Sequence, residues 1–402
     1  MINLKHNAHM LAIDDVKRLN SEMLRVGADP VGISLMLPKG ILLAIKVEQV
    51  GLKAVLILKQ EMLSRGGEAV VSRNVATLEQ EHSDILLIGT FKQFTELIAK
   101  LKLQPFGLKK IAAEITEVIT GWEARNEKYT IDCNGKALSF SDKTLVMGIL
   151  NLTPDSFSDG GKYTDVESAV QRALEMERDG ADIIDIGGES TRLGHTPISA
   201  AEELSRILPV LERLTGRLRI PISVDTSKSE VAEGALAAGA NMINDIWGLK
   251  RDPRMAEIVA RYNVPVILMH NREIANYNSL ISDIISDLRE SIEIAFSAGI
   301  TADKIILDPG IGFAKSYREE LLVMNRLTEI VNLGYSVLLA ASRKSMIGST
   351  LNLDKGERLE GTIATVCQAI AKGCQLVRVH DVLEVKRAVT MMDAIVNAEE
   401  GE

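Results

Sequence analysis

Cysteine is nearly missing: Cys133, Cys367 and Cys374 are the only three in 402 residues. They are too few and too scattered for a disulfide framework or a zinc site, and they suit a reducing cytosol. No block of basic residues occurs, and the formal charge of -9 is dispersed along the chain, which speaks for solubility and against a nucleic-acid partner. No apolar run reaches the length of a membrane span, since the longest region, Val31 to Val47, is broken by Pro38, Lys39 and Gly40. The opening MINLKHNAHM lacks the basic segment followed by an apolar run of a secretory signal, so the expectation is a cytoplasmic protein. Aromatic residues are scarce at 4%, yet hydrophobic residues at 46% and charged ones at 25% make an ordinary globular composition. The length predicts two domains, or one large barrel with an appendage.

The clearest organisation starts at Lys128. The segment KYTIDCNGKALSF (128–140) alternates apolar and polar residues around Asn134-Gly135, a dipeptide suited to a two-residue turn, and reads as a β-hairpin. After it come LVMGILN (145–151), DIIDIGG (182–188), PISVDTS (221–227), MINDIWG (242–248), PVILMH (265–270), KIILDPG (304–310), SVLLAAS (336–342) and LVRVHD (376–381). Runs this rich in Val, Ile and Leu, without strict alternation, belong to strands covered on both faces. The stretches of helical period between them make parallel crossovers. Eight such units predict a (β/α)₈ TIM barrel over residues 128–402. Residues 1–127 read as a smaller α/β domain, with strands at Ala54–Lys59, Glu68–Ser72 and Asp84–Gly89 and helices at Asp14–Val26 and Phe91–Leu103. No phosphate loop, metal motif or nucleophile elbow is found in that N-terminal part.

In such barrels catalytic groups sit at the C-terminal ends of the strands, and here polar residues crowd those ends. Asn151 offers a carbonyl oxygen to a hard cation. Arg192, Arg378 and His380, from strands adjacent around a closed barrel, can receive a small anion, although any one of them alone reads more readily as half of a surface ion pair. Asp225 and Asp308 follow apolar strand residues, where an unpaired carboxylate is costly. Each is either a structural cap or a receptor for the neighbouring N–H donors of an amino-pyrimidinone, with Asn244 and Lys344 adding polar recognition. Phe313, in the two-glycine loop DPGIGFAK (308–315), offers an apolar wall, while His270, Asp185 and Glu189 fit supporting roles. Nothing resembles a Ser-His-Asp or Cys-His set, so a covalent enzyme intermediate is not expected.

The ordered motifs MGILNLTPDSFSDGG (147–161), DIGGESTRLG (185–194), ISVDTSK (222–228), INDIWG (243–248), LMH (268–270), LDPGIGFAK (307–315), SRKSMIG (342–348) and RVHDV (378–382) resemble those of the dihydropteroate synthases. The resemblance covers residues 128 to 397. It implies condensation of a (7,8-dihydropterin-6-yl)methyl diphosphate with 4-aminobenzoate, assisted by Mg²⁺, to give 7,8-dihydropteroate and diphosphate. By position, Asn151 would bind the metal, and Arg192, Arg378 and His380 the diphosphate. Asp225, Asn244, Met269, Asp308 and Lys344 would form the pterin pocket, while Thr191, Phe313, Arg343 and Ser345 would approach 4-aminobenzoate. The first two strand-end loops, the first of them 153–161, would close over both substrates, and a homodimer is implied. Two departures stand out: Leu193 where the family commonly has Pro, in the region where sulfonamides compete with 4-aminobenzoate, and Ala314 where it commonly has Gly. A pterin-dependent methyltransferase passing a methyl group to a corrinoid partner, and a pterin-binding protein without catalysis, are the competing readings.

Overall fold

The computed structural model describes residues 6–13, 15–125, 127–140, 143–152, 162–190 and 196–398, with backbone alone at 162–165. The expectations for Thr191, Arg192, Leu193 and the 153–161 loop fall outside the described residues. By packing, the chain divides into two compact units, Met1–Thr120 and Gly121–Glu402.

The first unit is built on β1 (Leu42–Gly51), β2 (Glu68–Val71) and β3 (His82–Thr90), antiparallel in the order β1-β3-β2. Ile45 and Val47 of β1 and Ile85 and Leu87 of β3 are buried at alternate positions. They share a core with Leu58, Met62, Phe94, Leu97 and Ile115 from three helices. Two expectations are corrected here. The stretch Ala54–Lys59 lies in a helix, Leu52–Leu63, and the strand before it, β1, was not anticipated. The buried residues Ala54, Val55, Leu58 and Met62 recur at helical spacing; a window of six apolar-rich residues was too short to reveal that period.

In the second unit β4 (Tyr129–Cys133) and β5 (Lys136–Phe140) form the hairpin. Asn134 at φ 53° and Gly135 at φ 86° make the tight turn whose twist matches paired strands. Next come β6 (Leu145–Asn151), β7 (Ile183–Gly187), β8 (Ile222–Asp225), β9 (Met242–Asp245), β10 (Val266–Met269), β11 (Ile305–Asp308), β12 (Ser336–Leu339) and β13 (Leu376–Val379). They pair in parallel, each with the next, and β13 closes on β6. Closure leaves no free edge. Their outward residues, such as Val146, Ile184, Val224, Ile243 and Val377, pack on a ring of helices that includes Ala200–Leu214, Leu280–Ser297, Leu359–Ala371 and Val382–Val396.

The inward residues Leu145, Met147, Ile183, Met242, Ile267, Ile306, Leu338 and Leu376 form a separate apolar layer. Ile131, Cys133, Leu138 and Phe140 of the hairpin complete it. The hairpin is therefore the floor of the barrel at the end where the strands begin, pinned by a hydrogen bond between the Tyr129 and Ser336 hydroxyls. Among the described residues, no helix is long and apolar enough to cross a membrane.

Candidate active site

Strand period two converts the apolar floor into a polar mouth. One pleat above Ile183, Met242, Ile306 and Leu376 stand Asp185, Asn244, Asp308 and Arg378, all facing the same lumen. Register sets their neighbours: Asp225 pairs with Asn244, and Met269 with Asp308.

Arg378 organises one side of this layer. It donates from Nε to Asp185 Oδ2 at 2.6 Å and from Nη2 to Asp225 Oδ2 at 2.7 Å. Asn244 Nδ2 donates to the same Asp185 oxygen at 3.2 Å. The second oxygen of each carboxylate, Asp185 Oδ1 and Asp225 Oδ1, is buried with no partner, an expensive state that a donor-bearing ligand would relieve. Burial pushes the Asp225 carboxyl well above the ordinary range, with Arg378 opposing it. For Arg378 burial works against the charge, but the Asp185 and Asp225 carboxylates outweigh it.

On the other side, Asp308 Oδ1 accepts from the Gly310 amide at 2.7 Å, and burial raises its pKa. The Lys344 ammonium lies 4.3 Å from the Phe313 ring centre, and burial pushes its pKa down to about 8 against the pull of Asp308. Asp225, Asn244, Met269, Asp308, Lys344, Phe313 and Arg378 thus converge on one mouth. Asn151, at the end of β6, flanks Gly187: a side chain on that glycine would meet Asn151 Oδ1 at 3.6 Å and Asp225 Cβ at 3.8 Å.

His380 departs from the picture of clustered cations. Ser342 Oγ accepts from the His380 amide at 3.2 Å and lies 3.0 Å from Nδ1; with the hydroxyl donating to Nδ1, the imidazole proton is assigned to Nε2. Burial and the charges of Arg378 and Arg343 push its pKa down to about 4, so at neutral pH the ring is a neutral group. Two other predicted residues stand apart. Arg343 bonds through Nε to Asp381 Oδ2 at 2.9 Å, and Ser345 is exposed at the start of the helix Ser345–Leu351. The sequence reading gave no role to Ser342, Asp287 or Lys315; Ser342 opens SRKSMIG and Lys315 ends LDPGIGFAK, whereas Asp287 carried no signal. Glu189 supports the second strand's loop by accepting from Lys228 at 2.6 Å and from the Ile198 amide at 3.0 Å.

Residues 147–380 match the family model described as pterin binding enzyme. The chain is 57% identical over 272 residues to the dihydropteroate synthase of Bacillus subtilis, covering 68% of this chain and 95% of that one. A solved dihydropteroate synthase of Clostridium difficile, obtained in the presence of pteroic acid, superposes with a TM-score of 0.63 at 48% identity, over 64% of this chain and 98% of the other. A probable bifunctional folylpolyglutamate synthase/dihydropteroate synthase of Halobacterium salinarum is 38% identical over 389 residues, 95% of this chain and 46% of its own length. That likeness runs through the first unit as well as the barrel. With a family match across the barrel and such identity over nearly the whole of a known synthase, the chain belongs to the pterin-binding enzyme family, among its dihydropteroate synthases.

Proposed function

We propose that the barrel mouth joins a (7,8-dihydropterin-6-yl)methyl diphosphate to 4-aminobenzoate, with the following division of labour. Asp225 and Asp308 accept hydrogen bonds from the amino and ring N–H groups of the pterin, Asn244 and Lys344 supply further polar contacts, and Met269 packs against the ring. The observation that carries this reading is the buried, unpartnered Oδ1 of Asp225 beside Arg378, an acceptor whose desolvation calls for a donor.

Arg378 has Nη1 free of both carboxylate bonds, and His380 presents Nε2–H. With Arg192 they hold the diphosphate. As the carbon–oxygen bond to the methylene breaks, the electron pair leaves with diphosphate, and these donors stabilise the growing negative charge. The pterin spreads the positive charge left on carbon. The amine of 4-aminobenzoate attacks that carbon and then releases its proton, a step that needs no strong protein base. Thr191, Phe313, Arg343 and Ser345 are assigned to the 4-aminobenzoate side, where an Arg343 still paired to Asp381 acts by shaping the wall.

Mg²⁺, when bound, supplies further positive charge to the diphosphate. Asn151 is its proposed protein ligand. A single carboxamide oxygen at the strand end, beside Gly187 and Asp225, fits an ion that shares its shell with substrate oxygens and water. We further propose a cytoplasmic homodimer joined through the exposed Leu383, Met391 and Ile395 of the helix Val382–Val396, inhibited by sulfonamides that compete for the 4-aminobenzoate side.

The test is diphosphate release by the purified chain with Mg²⁺. Release is expected only when both substrates are present, and should fall on chelation of the metal. Activity on a methyl-tetrahydrofolate and a corrinoid, with none in this assay, would overturn the reading.

A further inference from the structure

The loop after β11 is folded around a lysine that the proposed chemistry does not use. Lys315 Nζ lies 2.9 Å from His270 Nδ1 and donates to the Gly310 carbonyl at 3.0 Å and the Phe313 carbonyl at 3.1 Å. Burial pushes the Lys315 pKa down to about 7, against the pull of Asp308 and Glu320, and in its charged form the three protons of the ammonium match these three acceptors. That arrangement makes Nδ1 the lone-pair nitrogen of His270, so its proton sits on Nε2, 3.0 Å from Asp287 Oδ2. Asp287 is itself gripped by Arg272, from Nε at 2.6 Å and Nη2 at 3.1 Å. His270 is fully buried, and burial pushes its pKa down to about 4, which keeps the ring neutral and able to accept.

Gly310 links this set to the pocket. Its carbonyl takes the Lys315 proton, and its amide donates to Asp308 Oδ1 at 2.7 Å. The residue has no room for a side chain: at φ 71°, a Cβ on it would lie 2.0 Å from the His270 carbonyl oxygen. Tyr277, stacked by Arg272 at 4.7 Å, donates to the Ala314 carbonyl at 2.7 Å and holds the loop's far end. The Lys315 and Asp308 side chains therefore act on opposite ends of one glycine.

We propose that Lys315, with His270 as its acceptor, is a positioning residue that sets the rotamer of Asp308 through Gly310 and so aims its remaining oxygen at the pterin. This rests on the assignment of Asp308 to the pterin. Removing the ammonium leaves two carbonyls without a donor and frees the loop to relax, which would turn the carboxylate away.

The test is calorimetric titration of the full-length chain with the dihydropterin diphosphate alone, using Lys315→Met, Asp308→Asn and the double variant. Lys315→Met is expected to weaken binding by about tenfold or more. In the double variant the effect should not add, its affinity staying within about threefold of Asp308→Asn. At the acceptor, His270→Asn keeps an oxygen near the Nδ1 position and should bind within about threefold of wild type, whereas His270→Leu should lose about tenfold. A merely structural lysine would lower the melting temperature and leave affinity intact. Unchanged affinity in Lys315→Met, additivity in the double variant, or equal losses in the two His270 variants would each overturn the inference. Unchanged affinity in Asp308→Asn alone would instead overturn the pterin assignment. Should Lys315→Met fail to fold, the two His270 variants decide.

Discussion

Ala314 adopts φ 45°, in the left-handed region that costs a residue with a Cβ about 1 kcal/mol relative to glycine. It occupies the position where the resembled family commonly has glycine, so the departure noted in the sequence acquires a physical meaning. Ala314→Gly should raise stability in urea by about 1 kcal/mol; a loss of stability would show that the methyl group packs usefully. Protonation states give two further expectations. Pterin affinity should fall on acidification as the raised Asp225 carboxyl protonates, and fall again as pH rises through about 7 to 8, where Lys315 and then Lys344 lose their protons. Calorimetry across that range would reveal a bell, and a flat profile would contradict the assigned partners. His270, held down to about 4 in the fold, stays neutral there while the unfolded chain takes up a proton below about pH 6.5. The unfolded state then binds more protons, so stability is lost as pH drops from about 6.5 to 4, by at most about 3 kcal/mol from this group. His270→Asn should show less acid destabilisation than wild type in denaturation curves at pH 7 and 4.5.

Elements were legible where a single face or both faces decided the pattern. All eight barrel strands showed as continuous Val, Ile and Leu runs because parallel strands are buried on both sides, and the hairpin showed through Asn134-Gly135. The helix Leu52–Leu63 was obscured by its own hydrophobicity, since AVLILK carries no visible period over six residues. Site residues on strand ends were readable as polar groups after apolar ones, whereas the bond from His270 to Asp287 joins a strand end to a helix 17 positions on, a pairing that only folding brings about. The floor hairpin yields its own expectation. Phe140 is nearly fully buried and stacks on Tyr129 at 5.0 Å, so Phe140→Ala should cost about 3 kcal/mol in chemical denaturation. Substrate KM values in the surviving folded protein should stay unchanged, because the polar layer lies above the floor.

At the scale of the whole molecule, the division after Thr120 leaves a barrel unit that carries every described residue proposed for the chemistry. The Bacillus subtilis synthase is matched over 95% of its length by 68% of this chain, which indicates how little beyond the barrel the reaction demands. Residues 121–402 expressed alone should therefore turn over both substrates within a few-fold of the full chain. Loss of turnover with the fold retained would assign the first unit a part in catalysis. The hairpin floor has a consequence for traffic. With the strand-start end stoppered, the lumen is a cul-de-sac, and both substrates and both products must share one doorway. Whatever Asp225, Asn244 and Asp308 hold would therefore arrive and depart past the loops at the strand ends, never through the floor.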